Sequence, residues 1–453
     1  MKRLTRLVIV LVVLLSSFSS MAAASNRKIG INVLLNRPIN DQVLQSLGNY
    51  GKVRDVLYQI NAVMLFGEEA NLAAIRALPF VAAADPDAEA SAKPVQTVAV
   101  EDFTNGVNTW NLDAINVTDF GQGRTMSYTG EGVYVAVLDS GLVENWREFF
   151  PEERIAEEYA VAYGGGGNSG NHVSEQPDKW QRDTNSHGTH VTSTILGFNL
   201  FGVSVNGVAP MATVIPVKVL NQNGSGWNSS IVYGILYVAD LKAGPLADHP
   251  VVINMSLSSS QPSAVEEAAI DYALSKGVFV VAAAANRGEA GMGYPGAYPQ
   301  VISAAAAGLN AQFSVPTWWL ALNVPDPTDA DDFYIVDFSA REKPGQDLDV
   351  AAPGVYVVGP YQASQGHASY FYLSGTSMAS PHVAGTVALM AQKNPGLTQS
   401  QAEQILENTA VPMSAGCSDV VSPGSGQLVE VCWGADATGH GLLQADAALN
   451  ATP

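Results

Sequence analysis

Residues 373–385 read LSGTSMASPHVAG, a short apolar run that breaks at Gly375 into small residues and then into the helical pattern VALMAQK. Two other stretches have the same strand-to-helix form: VAVLDSG at 135–141 and NSHGTHV at 185–191. Each break carries one chemically active group: the Asp139 carboxylate, the His187 imidazole and the Ser377 hydroxyl. A hydroxyl is a poor nucleophile at neutral pH, so it needs a base to take its proton and a third group to orient that base. Asp139 as orienter, His187 as base and Ser377 as nucleophile meet that need.

Local context separates these residues from their competitors. Of seven histidines, only His187 combines small neighbours with an apolar helical run, VTSTIL, directly downstream. His382, inside SPHVAG, is expected to pack on the helix that follows the nucleophile. Ser377 competes with Ser374 and Ser380; Gly375 allows close approach at its side. The pattern predicts Ser377 as the helix cap, with Pro381 in the first turn, where it removes no hydrogen bond. The positive end of that helix would then face a developing oxyanion.

Outward from these breaks, VYVAVLD, TVIPVKVL, VVINMSL, VFVVAAAAN and VISAAAA are apolar runs without alternation. Strands buried on both faces read this way, which predicts an α/β fold with a doubly wound parallel sheet and helices such as AVEEAAIDYALSK between the strands. Ligands bind at the carboxyl ends of such strands, where Asp139 and Asn286 fall. Upstream, KIGINVLL, INDQVLQSLGNY, VRDVLYQI, NAVMLF, EEANLAAIRAL and FVAAADPD read as strand, helix, two strands, helix and strand, a separate small α+β unit.

The order Asp, His, Ser and the strings DSG, SHGTHV and GTSMASPHVAG resemble the subtilisin family of serine peptidases. So do GVAP at 207–210, VINMSLS from Val252, VVAAAAN ending at Asn286, YPGAYPQVIS from Tyr294 and LDVAAPG from Leu348. The likeness runs from Trp110 to the C-terminus. It implies a subtilisin-like three-layer sheet and a serine endopeptidase acting on protein or peptide substrates through an acyl-enzyme. It also implies that Asn286 donates to the carbonyl oxygen under attack, beside the Ser377 amide. Losing such a donor costs ~3 kcal/mol, a figure taken from a subtilisin itself. Subtilisins usually place Gly before this Asn, and here Ala285 stands there. Ser256, Leu257 and Ser258 would run antiparallel to the substrate, Ala283, Ala284, Ala285 and Gly293 would wall its main pocket, and Arg287 would add tolerance for an acidic side chain.

By the same resemblance, residues 26–89 correspond to a ferredoxin-like inhibitory propeptide, 90–105 to a processing linker and 106–453 to the catalytic domain. The chain's own propeptide is then an intramolecular inhibitor. No cofactor is required. Calcium as a structural ion is expected near GFNLFGVSVNG at 197–207 with Glu148 as an acidic partner, while the run Asp326, Asp329, Asp331 and Asp332 reads first as a solvated loop. A monomer is expected.

Residues 1–24 read as a signal peptide: Lys2, Arg3 and Arg6, the run LVIVLVVLL, then MAAAS with cleavage after Ala24. That run is about half the ~20 residues needed to span a bilayer, so no membrane association is expected after signal cleavage. In an exported chain the two cysteines, Cys417 and Cys432, read as a disulfide; two ligands are too few for a metal. A net charge of -20 excludes nucleic acid and anionic membranes as natural partners. Two stretches, 162–183 and 313–334, look like inserted surface loops, with Trp318 and Trp319 packing the second. A hydrolase of another fold would want G-x-S-x-G and a histidine after the serine. A catalytically silent binding or inhibitor module would normally lack one of the three active groups.

Overall fold

A computed structural model describes residues 27–100, 109–119, 123–312, 323–422 and 425–453. The leader, Trp318 and Trp319 lie outside them.

The five apolar runs become strands Tyr134–Asp139, Thr213–Lys218, Val251–Met255, Val278–Ala283 and Ile302–Leu309 of one nine-stranded sheet. They pair in parallel, with Tyr134–Asp139 between Thr213–Lys218 on one side and Val251–Met255 on the other. Alternation explains why the runs are apolar throughout. Val135, Val137, Val252, Phe279 and Val281 pack into the core with helices His187–Leu196 and Thr376–Lys393. Ala136, Leu138, Val251, Ile253, Val280 and Ala282 pack into the core on the other face, with Asn228–Ala243 and Ala264–Ser275. Both faces are covered, giving the expected three layers.

From Tyr134–Asp139 the chain first goes to Val161–Gly164 and Thr213–Lys218 on one side, and then to Val251–Met255 on the other. Strand order reverses at this strand, and in open α/β sheets that reversal opens a crevice at the carboxyl ends. Asp139 is its last residue.

Residues 28–86 form their own four-stranded antiparallel sheet of βαββαβ order, with helices Asp41–Gly48 and Leu72–Arg76. Val33, Val63, Leu65 and Ile31 bury against its own helices. Leu57, Ile60, Ala62 and Met64 on the opposite face join the core of helices Asn228–Ala243 and Ala264–Ser275. Polar contacts reinforce the docking. Asp87 accepts from Ser229 N at 2.9 Å in the first turn of Asn228–Ala243, and Asp85 from Ala264 N at 3.3 Å at the start of Ala264–Ser275. Carboxylates there satisfy orphan N–H groups and complement the helix dipoles. Asp87 also pairs with the fully buried Arg54 at 3.2 Å.

Neither inserted stretch is a simple surface loop. In the first, Val161–Gly164 joins the main sheet through Thr213–Lys218, and Trp180 is buried with its ring 6.0 Å from that of Trp146. In the second, Val324 and Thr328 are buried and Val324 N donates to Asp113 at 2.7 Å. Each stretch contains apolar residues that a solvated loop would not need. Cys417 and Cys432 form a disulfide between neighbouring strands Gly416–Val421 and Leu428–Trp433. Among the described residues no helix is long and apolar enough to cross a membrane.

Candidate active site

His187 opens helix His187–Leu196, preceded by Ser186 at φ 69°. The helix comes close to the Asp139 loop because the next residue is Gly188: a Cβ there would stand 2.4 Å from Gly141 O and 3.3 Å from Asp139 Cβ. The His187 Nδ1 consequently lies 2.9 Å from each Asp139 oxygen, with both side chains fully buried. With Nδ1–H donating to the carboxylate, Nε2 is left as an acceptor. It is buried with no hydrogen-bond partner.

The surroundings hold Asp139 in turn. Ser140 N donates to Asp139 Oδ1 at 2.6 Å, while Ser140 Oγ accepts from Gly188 N and donates to Asp183 Oδ2, both at 2.8 Å. Burial pushes the Asp183 carboxyl up to about 6, against the opposing pull of Lys218, whose ammonium donates to Ser140 O. Asp183, Ser140 and Lys218 were not singled out from sequence. The available signals were an Asp four residues before His187 and one cation in the otherwise apolar TVIPVKVL.

At the nucleophile the structure corrects the expected capping. The helix runs Thr376–Lys393 with Gly375 as its cap residue, so Ser377 lies inside the first turn and Pro381 lies deeper in the helix. Pro381 has no N–H for the carbonyl four residues back, which is that of Ser377. Ser256 Oγ supplies the missing donor at 2.8 Å, and Ser377 Oγ donates to Ser256 O at 3.1 Å. Asn254 fixes Ser256 by donating to its Oγ at 3.1 Å and is itself fixed by Ser380 at 2.7 Å. Ser380 therefore serves the support, and Ser377 faces the cleft.

Asn286 follows strand Val278–Ala283. Its Oδ1 accepts from Thr376 N at 2.8 Å and Thr376 Oγ1 at 2.9 Å, which assigns the amide and turns Nδ2 to the cleft. Ala285, in place of the usual Gly, adopts φ 90°, a conformation that favours glycine. The Asn286 donor stays directed into the cleft despite that methyl.

Leu257, Ser258, Ala283 and Arg287 line this cleft. Ala284, Ala285 and Gly293 do not; Gly293 N donates to Ala284 O at 3.0 Å, and a Cβ on Gly293 would stand 2.9 Å from Ala285 Cβ. Those three support the wall from behind. His382 is buried as expected, its Nδ1 2.8 Å from Met378 O, and burial lowers it to about 4. His190 is likewise held neutral, at about 3, mainly by burial.

Among the described residues, no cluster of three acidic, histidine or cysteine side chains forms at the expected calcium positions. Among the described residues, three carboxylates gather at Asp349, Glu403 and Glu407; the other grouping contains the disulfide cysteines. Glu148 and the run Asp326 to Asp332 belong to neither. Glu148 is exposed, and residues 198–205 form a small hairpin closed by their own backbone.

A buried carboxylate-imidazole pair, a serine held by its own support and an amide donor turned into that serine's cleft are the parts of a hydrolase that uses a serine nucleophile. Residues 130–444 match the Subtilase family. Over 301 residues the chain is 34% identical to a thermostable alkaline protease of Halalkalibacterium halodurans, covering 66% of this chain and 67% of that one. It is 37% identical to subtilisin Savinase of Lederbergia lenta over 63% of this chain and 86% of the relative. Fervidolysin of Fervidobacterium pennivorans, a keratinolytic enzyme related to subtilisin, shares the fold at TM-score 0.65 and 24% identity, over 94% of this chain and 62% of that one. Sphericase aligns at TM-score 0.53 and 28% identity, over 74% of this chain and 97% of its own. This chain belongs to the subtilase family and is a serine endopeptidase.

Proposed function

We propose that Asp139, His187 and Ser377 form the catalytic triad of a secreted endopeptidase made as a self-processed proenzyme, inhibited by its own propeptide until it is cut. The observation that carries this is the buried His187 ring: Nδ1 is committed to Asp139 while Nε2 is left without a partner. In the reaction Ser377 turns from Ser256 O toward His187, which takes its proton as Oγ attacks the peptide carbonyl. His187 then passes that proton to the leaving amine, and water repeats the sequence on the acyl-enzyme. Asn286 Nδ2 and the Ser377 amide receive the oxyanion.

Residues 26–89 act as the inhibitory propeptide. Their docking on two catalytic-domain helices through Asp85 and Asp87 supports this reading. The leader, read from sequence alone, directs export. Casein and a short-chain ester, offered to the chain freed of its first ninety-odd residues, test the reaction class. Casein is expected to be cut preferentially, and Ser377→Ala to lose about 10⁶-fold in kcat, the size found in a subtilisin. Unchanged casein hydrolysis in Ser377→Ala would remove the proposal.

A further inference from the structure

We propose that residues 89–99 lie through the cleft as an uncut strap because the bond they present to Ser377, Lys93–Pro94, is one this site cleaves slowly. The inference rests on the peptidase reading above.

The register is set on both sides of Ser377. Glu89–Ser91 pairs antiparallel with Ser225–Trp227, and Ser91 exchanges two backbone hydrogen bonds with Ser258, at 2.9 and 3.0 Å. Ala92 N donates to Gly224 O at 2.8 Å. Beyond the reacting position, Val95 N donates to Ser374 O at 2.7 Å, and Gln96–Ala99 pairs antiparallel with Tyr370–Ser374. Between these two grips the carbonyl facing Asn286 Nδ2 is that of Lys93. The expected linker is thus two strands of the cleft, bound as a substrate would be.

Three features make the presented bond a poor one. Cutting it requires Ser377 Oγ to bond the Lys93 carbonyl carbon and its proton to pass to His187 Nε2. The C–N bond to Pro94 must then break as that proton reaches the Pro94 nitrogen. In proline this nitrogen carries Cδ where other residues carry hydrogen. As it becomes tetrahedral, the ring must swing among Ser377, His187 and the paired strands, where another residue would move only a hydrogen.

Second, the carbonyl is only loosely held: Lys93 O lies 3.5 Å from Asn286 Nδ2, at the long end of a hydrogen bond, and Ser377 donates to Ser256 O instead of facing it. Third, Lys93 is exposed and shares the cleft with Arg287, a second cation, so its side chain does not anchor the strap. Strand pairing holds the segment while the chemistry at its centre stalls, so the precursor persists until a bond outside residues 91–95 is cut.

The test follows the purified full chain by intact mass and N-terminal sequencing. Pro94→Ala and Pro94→Ser are expected to yield a product beginning at residue 94 at least about tenfold faster than wild type, and Ser377→Ala combined with Pro94→Ala to yield none. Wild type yielding a product that begins at Pro94 within about twofold of the variants' rate would overturn the strap. So would variants that gain no product starting at residue 94 while cutting an added peptide. Absence of both self-cutting and peptide hydrolysis in every form would instead remove the peptidase reading, and the strap with it.

Discussion

Among single residues, the site depends on atoms whose partners are dictated by chemistry far away in the chain. Asn286 donates into the cleft because Thr376 occupies its Oδ1 twice. Asn286→Ala is expected to lower kcat by about 10²–10³ with KM little changed, the range found for the same kind of donor in a subtilisin. Steady-state kinetics on a fixed peptide would show it; an equal loss in KM would mean ordinary substrate binding. Ala285 before it sits at φ 90°. Ala→Gly normally weakens a protein by raising unfolded-state entropy, by about 0.4–1 kcal/mol. Here relief of a strained non-glycine conformation, about 1–3 kcal/mol, outweighs that loss. Ala285→Gly in a Ser377→Ala background is expected to raise the denaturation midpoint, and a lowered midpoint would show that Ala285 is unstrained.

Among the elements, helix Gln399–Thr409 sets Glu403 and Glu407 on the face that meets Asp349. Burial and neighbouring carboxylates hold Asp349 and Glu403 above the usual carboxylate range, and Glu407 is raised mainly by burial with His440 opposing. A carboxyl raised in the folded state binds its proton more tightly there. Its stabilising contribution is full below the unfolded value, near 4, and is lost as pH rises through the folded value. Glu403→Gln cannot ionise, so in a Ser377→Ala background its Tm is expected to exceed the parent's by roughly 2 °C at pH 8. Scanning calorimetry should find that gap closing toward pH 4, and a gap that widens on acidification would reverse the assignment.

Elements were most legible in the sequence where burial is two-sided. The five apolar runs and the βαββαβ order of residues 28–86 could be read because strand and helix periods leave local marks. Helix starts were less legible. Pro381 suggested a first turn, but a neighbouring hydroxyl, Ser256 Oγ, replaces the hydrogen bond it removes. The short strands Glu89–Ser91 and Gln96–Ala99 carry no period of their own, because their partners lie more than a hundred residues away.

For the whole molecule, Asp139 ends an apolar strand and Ser377 follows the break between strand Tyr370–Ser374 and helix Thr376–Lys393. His187 instead opens its helix with no strand directly before it, and was marked by its small neighbours and the apolar run that follows. The sheet reverses order beside Asp139, and parallel pairing brings the residues after three strands to one edge. Asp183, Lys218 and Asn254 were not legible, since one polar residue in an apolar context does not say which buried group it will meet. The small unit docks on two helices and leads its chain into the cleft, so under the proposed propeptide role one set of contacts would both hold that unit and block the site. All of this chemistry requires Ser377 to be the nucleophile made reactive by His187. Labelling of the matured chain with a fluorophosphonate, followed by peptide mapping, reads that reactivity at the atom concerned. One adduct on Ser377, lost in His187→Ala, is the expected result; an adduct on another serine, or undiminished labelling of Ser377 without His187, would contradict it.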